Sequence, residues 1–500
     1  MSTHSSTVWA ILALLFLPAP DAGAAHANEP NWPQFRGPGG RGIAADNRAY
    51  PTHLDPAKNL HWKTQVPEGY SSPCIWADRL FLTARSGNKL ETICIDRKSG
   101  TIQWRKSVEP GTLEKISGNN SHASATPASD GTRVYVYFGS FGLIAYRLDG
   151  SESWRKELPL PNITHGSAAS PLLAGDLVVI NCDQNKDPYL LALDRSTGEQ
   201  VWRVKRPVAK MMFSWATPVL WKHGQQAELV VLGRERLIAY DPKDGRERWW
   251  IEGLPMETAS TPVGTEEAIF AGATGPFTGD PVNPIEVPDF QELLQNYDSN
   301  GDGRLALAEI PDDLALIYRL GTNAFSGVRN TFPRFDADKD GHLSEEEWKQ
   351  ITAQVPRLPM MQKDVFLAVR GGGEGNVTES HVRWRTNEGA GQVASPLVYR
   401  ERVYLVKEGG NVTCFRAATG ERIYSAKLGQ RVHYLASPVA ADGKIYFCSY
   451  LGTVFVVQAG DEFKILAQSK MGERIKATPA LVDGNIYLRT ATQMMAFGGS

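Results

Sequence analysis

Two twelve-residue stretches hold the densest oxygen chemistry in the chain. The first runs Asp298-Ser-Asn-Gly-Asp-Gly-Arg-Leu-Ala-Leu-Ala-Glu309, the second Asp336-Ala-Asp-Lys-Asp-Gly-His-Leu-Ser-Glu-Glu-Glu347. Each places a side-chain oxygen at its first, third and fifth positions, a glycine at its sixth and a glutamate at its twelfth. A hard cation such as calcium needs this set: several oxygens on a short arc, a sharp turn, and a carboxylate that closes the shell from the far side. Asp298, Asn300, Asp302 and Glu309 supply side-chain oxygens in the first loop, and Arg304 can offer only its backbone carbonyl. Asp336, Asp338, Asp340, Ser344 and Glu347 do so in the second, with the His342 carbonyl in the corresponding role. The extra carboxylate of the second loop predicts tighter binding there.

Both loops therefore match the EF-hand pattern, and calcium is the expected cofactor. Leu305 and Leu343 hold the eighth positions, where paired EF-hands run a short two-stranded contact, and helical runs Phe290 to Tyr297 and Glu345 to Ile351 flank the loops. From Glu286 to Gln350 there are 14 Asp plus Glu against 6 Lys plus Arg, a net of −8 in a chain of net −2. The acid is concentrated for a local purpose. Residues 276–363 are accordingly read as a small α-helical EF-hand insert.

The elements that must carry this insert follow a repeat. A Ser or Thr followed by Pro recurs at Ser72, Thr126, Ser170, Thr217, Thr261, Ser395, Ser437 and Thr478, at intervals of 41 to 54 residues except across the insert. Runs such as Val134-Tyr-Val-Tyr-Phe138, Leu177-Val-Val-Ile180 and Ile445-Tyr-Phe447 follow these starts, rich in β-branched and aromatic residues. Helical repeats of similar period would not be built from such residues, so the repeat is a propeller blade.

The second half of each repeat pairs a glycine with an aromatic four positions later: Gly100 with Trp104, Gly150 with Trp154, Gly198 with Trp202, Gly245 with Trp249, and Gly420 with Tyr424. The glycine permits a tight turn and the ring, at the start of the outer strand, can pack against the neighbouring blade. Blade seven departs, since Gly460 is followed by Lys464. The eighth start leaves room for only about three strands before Ser500, whereas Asn59 to Val66 carries Trp62 in an outer-strand context and can supply the missing one. The expectation is an all-β, eight-bladed β-propeller closed by its N- and C-terminal strands, with residues 28–275 and 364–500 forming the blades.

Segments such as Ala192-Leu-Asp-Arg-Ser-Thr-Gly198 with Trp202, and Ile93-Cys-Ile-Asp-Arg-Lys-Ser-Gly100 with Trp104, resemble the pyrroloquinoline-quinone-like (quinoprotein-like) propeller repeat, a family related to the propeller of the outer-membrane β-barrel assembly machine. The opening Trp32-Pro-Gln-Phe-Arg-Gly-Pro38 is similar to the start of many exported bacterial propellers of this group. Two readings follow from the resemblance. One is a non-enzymatic binding or scaffolding protein with protein partners. The other is a dehydrogenase in which pyrroloquinoline quinone (PQQ) in the channel oxidises alcohols or sugars. The familiar alcohol-oxidising members carry two adjacent cysteines near the cofactor, which this sequence lacks, so the binding reading is preferred. Just before the blade starts stand Tyr70, His122, His165, Trp215, Glu257, Gln392, His433 and Lys476, expected at one mouth of the channel as candidate contacts for a small polar ligand.

The near-neutral balance of 53 Lys plus Arg against 55 Asp plus Glu gives no reason to expect a nucleic-acid partner. An apolar run from Val8 to Leu17, then small residues to Ala27, reads as a signal peptide over residues 1–27, and hence as a periplasmic or secreted protein. No Cys lies near that cleavage point to take a lipid, and no stretch is long enough to span a membrane. Cys74, Cys94, Cys182, Cys414 and Cys448 are read as buried small hydrophobes, with one disulfide left open as the alternative.

Overall fold

In the computed structural model the described residues are 31–118, 120–207, 213–255, 257–274, 289–310, 328–353 and 364–498. The proposed signal peptide lies outside them. Eight antiparallel sheets form the blades, and each runs from an inner strand at the Ser/Thr-Pro start to an outer strand, which carries an aromatic in every blade but the seventh. Blade 1 is Cys74–Trp76, Arg79–Ser86, Lys89–Asp96 and Ile102–Val108. Blade 2 begins at Ala128–Ser129, blade 3 at Leu172–Ala174 and blade 4 at Val219–His223. Blade 5 is split: Val263–Gly264 and Ile269–Ala273 precede the insert, and Val365–Val369 and Val382–Thr386 follow it. Blades 6, 7 and 8 begin at Leu397–Tyr399, Val439–Ala441 and Ala480–Val482.

The second and third strands of each blade lie between neighbouring blades, so both of their faces are covered. Val134 to Phe138 is buried throughout, which explains why these strands read as continuous apolar runs rather than as alternations. Blade 8 takes its outer strand from the other end of the chain: Leu60–Gln65 pairs antiparallel with Gln493–Gly498. Closure of this kind joins the two chain ends within one blade and leaves only the short outer strands as edges.

Adjacent blades are pinned by the aromatic on each outer strand. Trp62, Trp104, Trp154, Trp202 and Trp384 lie against Gly100, Gly150, Gly198, Gly245 and Gly420 of the next blade, where an added Cβ would fall 2.5 to 2.9 Å from the ring. Each indole N–H donates to a carbonyl of the same turn: Trp62 to Arg97, Trp104 to Leu148, Trp154 to Arg195, Trp202 to Pro242 and Trp384 to Ala417. The glycine is thus required twice, for a left-handed turn and for close approach of the indole.

Two positions depart from this girdle. Trp249 does not reach a glycine of blade 5; its indole N–H donates to the buried Glu228 of its own blade at 3.0 Å. In blade 5 the usual short turn is replaced by a longer connection in which Gly375–Asn376 adds parallel to the outer strand of blade 4, opposite Trp249 and Trp250. In blade 7 no side chain crowds Gly460, and Tyr424 instead meets Phe463 edge-on at 5.7 Å.

The five cysteines are buried free thiols. No helix among the described residues is long and apolar enough to cross a membrane.

Candidate functional site

The acidic loops sit between short helices. Phe290–Tyr297, capped by the Asp289 carboxylate, enters the first loop, Val328–Phe335 enters the second, and Glu345–Thr352 leaves it. Their apolar faces make a separate small core from Phe290, Leu293, Leu305, Ile310, Val328, Phe332, Leu343 and Trp348. Leu305–Ala306 pairs antiparallel with His342–Leu343, which sets Leu305 opposite Leu343 and yokes the loops back to back.

Within the two loops similar contacts recur. Asp298 accepts from the N–H groups of Gly301 and Gly303, and Asp336 from those of Asp340 and Gly341, while both sixth-position glycines are left-handed. Glu309 reaches back to accept from Ser299 and Ala306 N–H groups, at 3.0 Å each. Glu347 does the same with Ala337 at 2.7 Å and Ser344 at 2.9 Å. The Ala306 N–H leads the contacts that hold the Glu309 carboxyl below its ordinary range. At Glu347 burial pushes upward, and the hydrogen bonds from Ser344 and Ala337 outweigh it, so this carboxyl also titrates low. Both glutamates are thereby kept as carboxylates facing the loop interior. One carboxylate oxygen from each of Asp336, Asp338 and Asp340 lies within 4.8 Å of the others, close enough to share one cation. Asn300 and Asp302 are tied in the first loop as Asp338 and Asp340 are in the second: Asn300 accepts from Asp302 N–H, and Asp302 accepts from Arg304 N–H. These donors are of the kind calcium takes, carboxylate and amide oxygens on one arc with a closing glutamate, while the Arg304, His342 and Ser344 ligands stand as expectations from sequence.

The second site is the channel. At its waist the eight Ser/Thr side chains form a closed circuit, each hydroxyl oxygen accepting the backbone N–H of the preceding blade's Ser or Thr. The distances are 2.9 to 3.2 Å around the whole ring. In the sequence these residues mark the blade starts; in the fold they weld the inner strands together.

Below the ring the N-terminal segment crosses the channel axis. Trp32 pairs with Ile75 of blade 1, the Pro33 carbonyl accepts from Ser129 of blade 2, and Gly42 and Ala44 bond to Ala440 of blade 7. Arg36, fully buried, donates through Nη2 to the Pro396 carbonyl of blade 6 at 2.6 Å, and burial draws its guanidinium down to about 9. Phe35 lines the cavity, so the channel is closed at this end.

Above the ring is a cavity of about 200 Å³. Of the candidates at the mouth, Tyr70, His165, Trp215, Gln392 and Lys476 line it, together with Ser117, Asn120 and Ser124 from the long connection between blades 1 and 2. Trp215 packs against His165 with ring centroids 5.5 Å apart, and its indole donates to the Gly166 carbonyl. Lys476 Nζ sits 3.9 Å from the centre of the Tyr70 ring, and burial brings its ammonium down to about 8.

His122 and His433 do not line the cavity. His122 is turned to the Glu114 carbonyl at 2.9 Å, and His433 is set edge-on to Tyr450, with burial, and then the Lys476 charge, lowering its imidazole to about 4. The side chain of Glu257 lies outside the described residues. Among the described lining residues there is no carboxylate.

Comparison with known proteins follows the same division. A family model described as the outer membrane protein assembly factor BamB matches residues 43–186, 89–274 and 331–496. The fold is similar to that of BamB from Moraxella catarrhalis, with TM-score 0.53 and 14% identity over 88% of this chain and 98% of that one. It is also similar to a europium-containing methanol dehydrogenase, with TM-score 0.53 and 10% identity over 95% of this chain and 99% of that one. At such identities these likenesses concern the fold alone. A stretch of 77 residues, 15% of the chain, is 31% identical to polcalcin Cyn d 7 of Cynodon dactylon over 89% of that protein.

Proposed function

The chain belongs to the family of the outer membrane protein assembly factor BamB, and from that premise we propose that it is an exported, calcium-binding β-propeller that acts as a binding or scaffolding protein, without catalysing a reaction of its own. The observation that carries this reading is the separation of two chemistries. Carboxylates converge in the EF-hand loops, whereas the described lining of the channel has none.

The rival reading, a PQQ-dependent dehydrogenase, draws support from the fold it shares with the methanol dehydrogenase. The described channel residues offer a quinone–calcium pair no carboxylate. Calcium takes six to eight oxygens, commonly with carboxylates among them. The hydroxyls at the waist already accept backbone N–H groups, and the described groups above them that could carry charge are an ammonium and an imidazole.

In the proposed role the propeller is a rigid frame. Blade loops and insert offer surfaces for protein partners, the channel mouth takes at most a small polar ligand, and calcium orders the loops of the insert. The apolar run Val8 to Leu17 supports export to the periplasm or beyond. Purified protein incubated with PQQ and calcium, then given methanol, ethanol and glucose with an electron-accepting dye, is expected to leave the dye oxidised. Sustained substrate-dependent bleaching would overturn the proposal.

A further inference from the structure

The two loops are joined by a contact between side chains as well as by their short sheet. Arg304 stands at the seventh position of the first loop. Its guanidinium crosses to the second loop and donates from Nη1 to Asp340 Oδ2 at 2.6 Å. Asp340 is the fifth-position ligand there, and its other oxygen accepts from the His342 N–H at 2.9 Å. In the opposite direction the contact is much weaker, since His342 brings Nε2 only to 4.0 Å from Asp302 Oδ2.

This asymmetry opposes the asymmetry in ligand charge. The first loop offers three carboxylates, Asp298, Asp302 and Glu309, and the second four, Asp336, Asp338, Asp340 and Glu347. Calcium affinity rises with ligand charge. A cation held on the fourth carboxylate leaves the second loop with the same effective charge as the first. Calcium entering that loop must compete with the guanidinium for Asp340.

We propose that Arg304 is a built-in counter-charge that lowers the calcium affinity of the second loop and matches it to the first, so that the pair fills over one range of calcium. The inference rests on the calcium reading above. The side chains of Arg304 and Asp340 are 51% and 35% exposed, so the contact is modest in strength and screened by salt.

The test uses the full chain with the first loop silenced by Glu309→Gln, so that a calorimetric calcium titration reads the second loop alone. Adding Arg304→Gln is expected to tighten that site about two- to fivefold at low ionic strength, the order an exposed ion pair contributes. The gain should shrink in about 0.5 M potassium chloride, where charges this exposed are screened, and Arg304→Lys should restore the weaker binding. Unchanged or weaker binding in Arg304→Gln would overturn the counter-charge. Failure of the unsubstituted protein to bind calcium at all would instead bring down the calcium reading beneath it.

Discussion

The backbone N–H of Thr478 donates to Ser72 Oγ at 3.0 Å, joining the last blade to the first across 406 positions of sequence. Both residues are buried, at 3% and 2% exposure, so neither group can turn to water instead. Replacing Ser72 by Ala strands the Thr478 N–H and is expected to cost on the order of 1–3 kcal/mol. Ser72→Thr keeps the acceptor and should cost much less. Denaturant unfolding of the two variants checks this.

The outer girdle closes the same gap a second time. Trp62 lies against Gly100, whose φ is 76°, and a Cβ there would fall 2.6 Å from the indole. Gly100→Ala should therefore destabilise by roughly 2 kcal/mol or more, through overpacking and an unfavourable turn together. Gly460→Ala, at the corresponding turn where nothing lies within 4 Å, should change stability by less than about 1 kcal/mol. Equal costs at the two positions would mean that the indole contact contributes nothing.

Glu408 gives the fold a pH dependence. It is fully buried behind Gln392, and desolvation, only partly offset by the Gln392 N–H and the nearby Lys407 charge, raises its carboxyl to about 7. A carboxyl whose folded value lies above its unfolded value of 4.5 contributes stability that is fully present below 4.5 and is lost as pH rises through about 7. Glu408→Gln cannot ionise, so its unfolding free energy relative to the unsubstituted protein should climb between pH 4.5 and pH 8, toward a difference of about 3 kcal/mol read by denaturant unfolding. Parallel pH profiles for the two proteins would contradict this assignment.

The blades were legible because their cause is local and repeated: β-branched runs, a glycine turn and an aromatic at fixed spacing. The strand Leu60–Gln65 announced itself by carrying Trp62 while blade 8 lacked a strand. The floor of the channel left no such trace. Arg36 meets Pro396 across 360 residues, and a single guanidinium under a ring of hydroxyls has no period to detect. Trp249 lies on the outer strand its spacing indicates and shares a core with blade 5, but without the glycine contact of the other blades, because a longer connection replaces the glycine turn there. At the mouth, position before each Ser/Thr brought Tyr70, His165, Trp215, Gln392 and Lys476 to the cavity, whereas His122 and His433 turned to partners that spacing alone does not reveal.

Calcium stoichiometry tests the account most directly. Calorimetric titration of the full chain should find two calcium ions per molecule, and the Glu309→Gln, Glu347→Gln double variant should bind neither while retaining the propeller's β-rich circular dichroism. A metal-free unsubstituted protein, or a double variant that binds as before, would contradict the assignment of these loops and with it the proposed function.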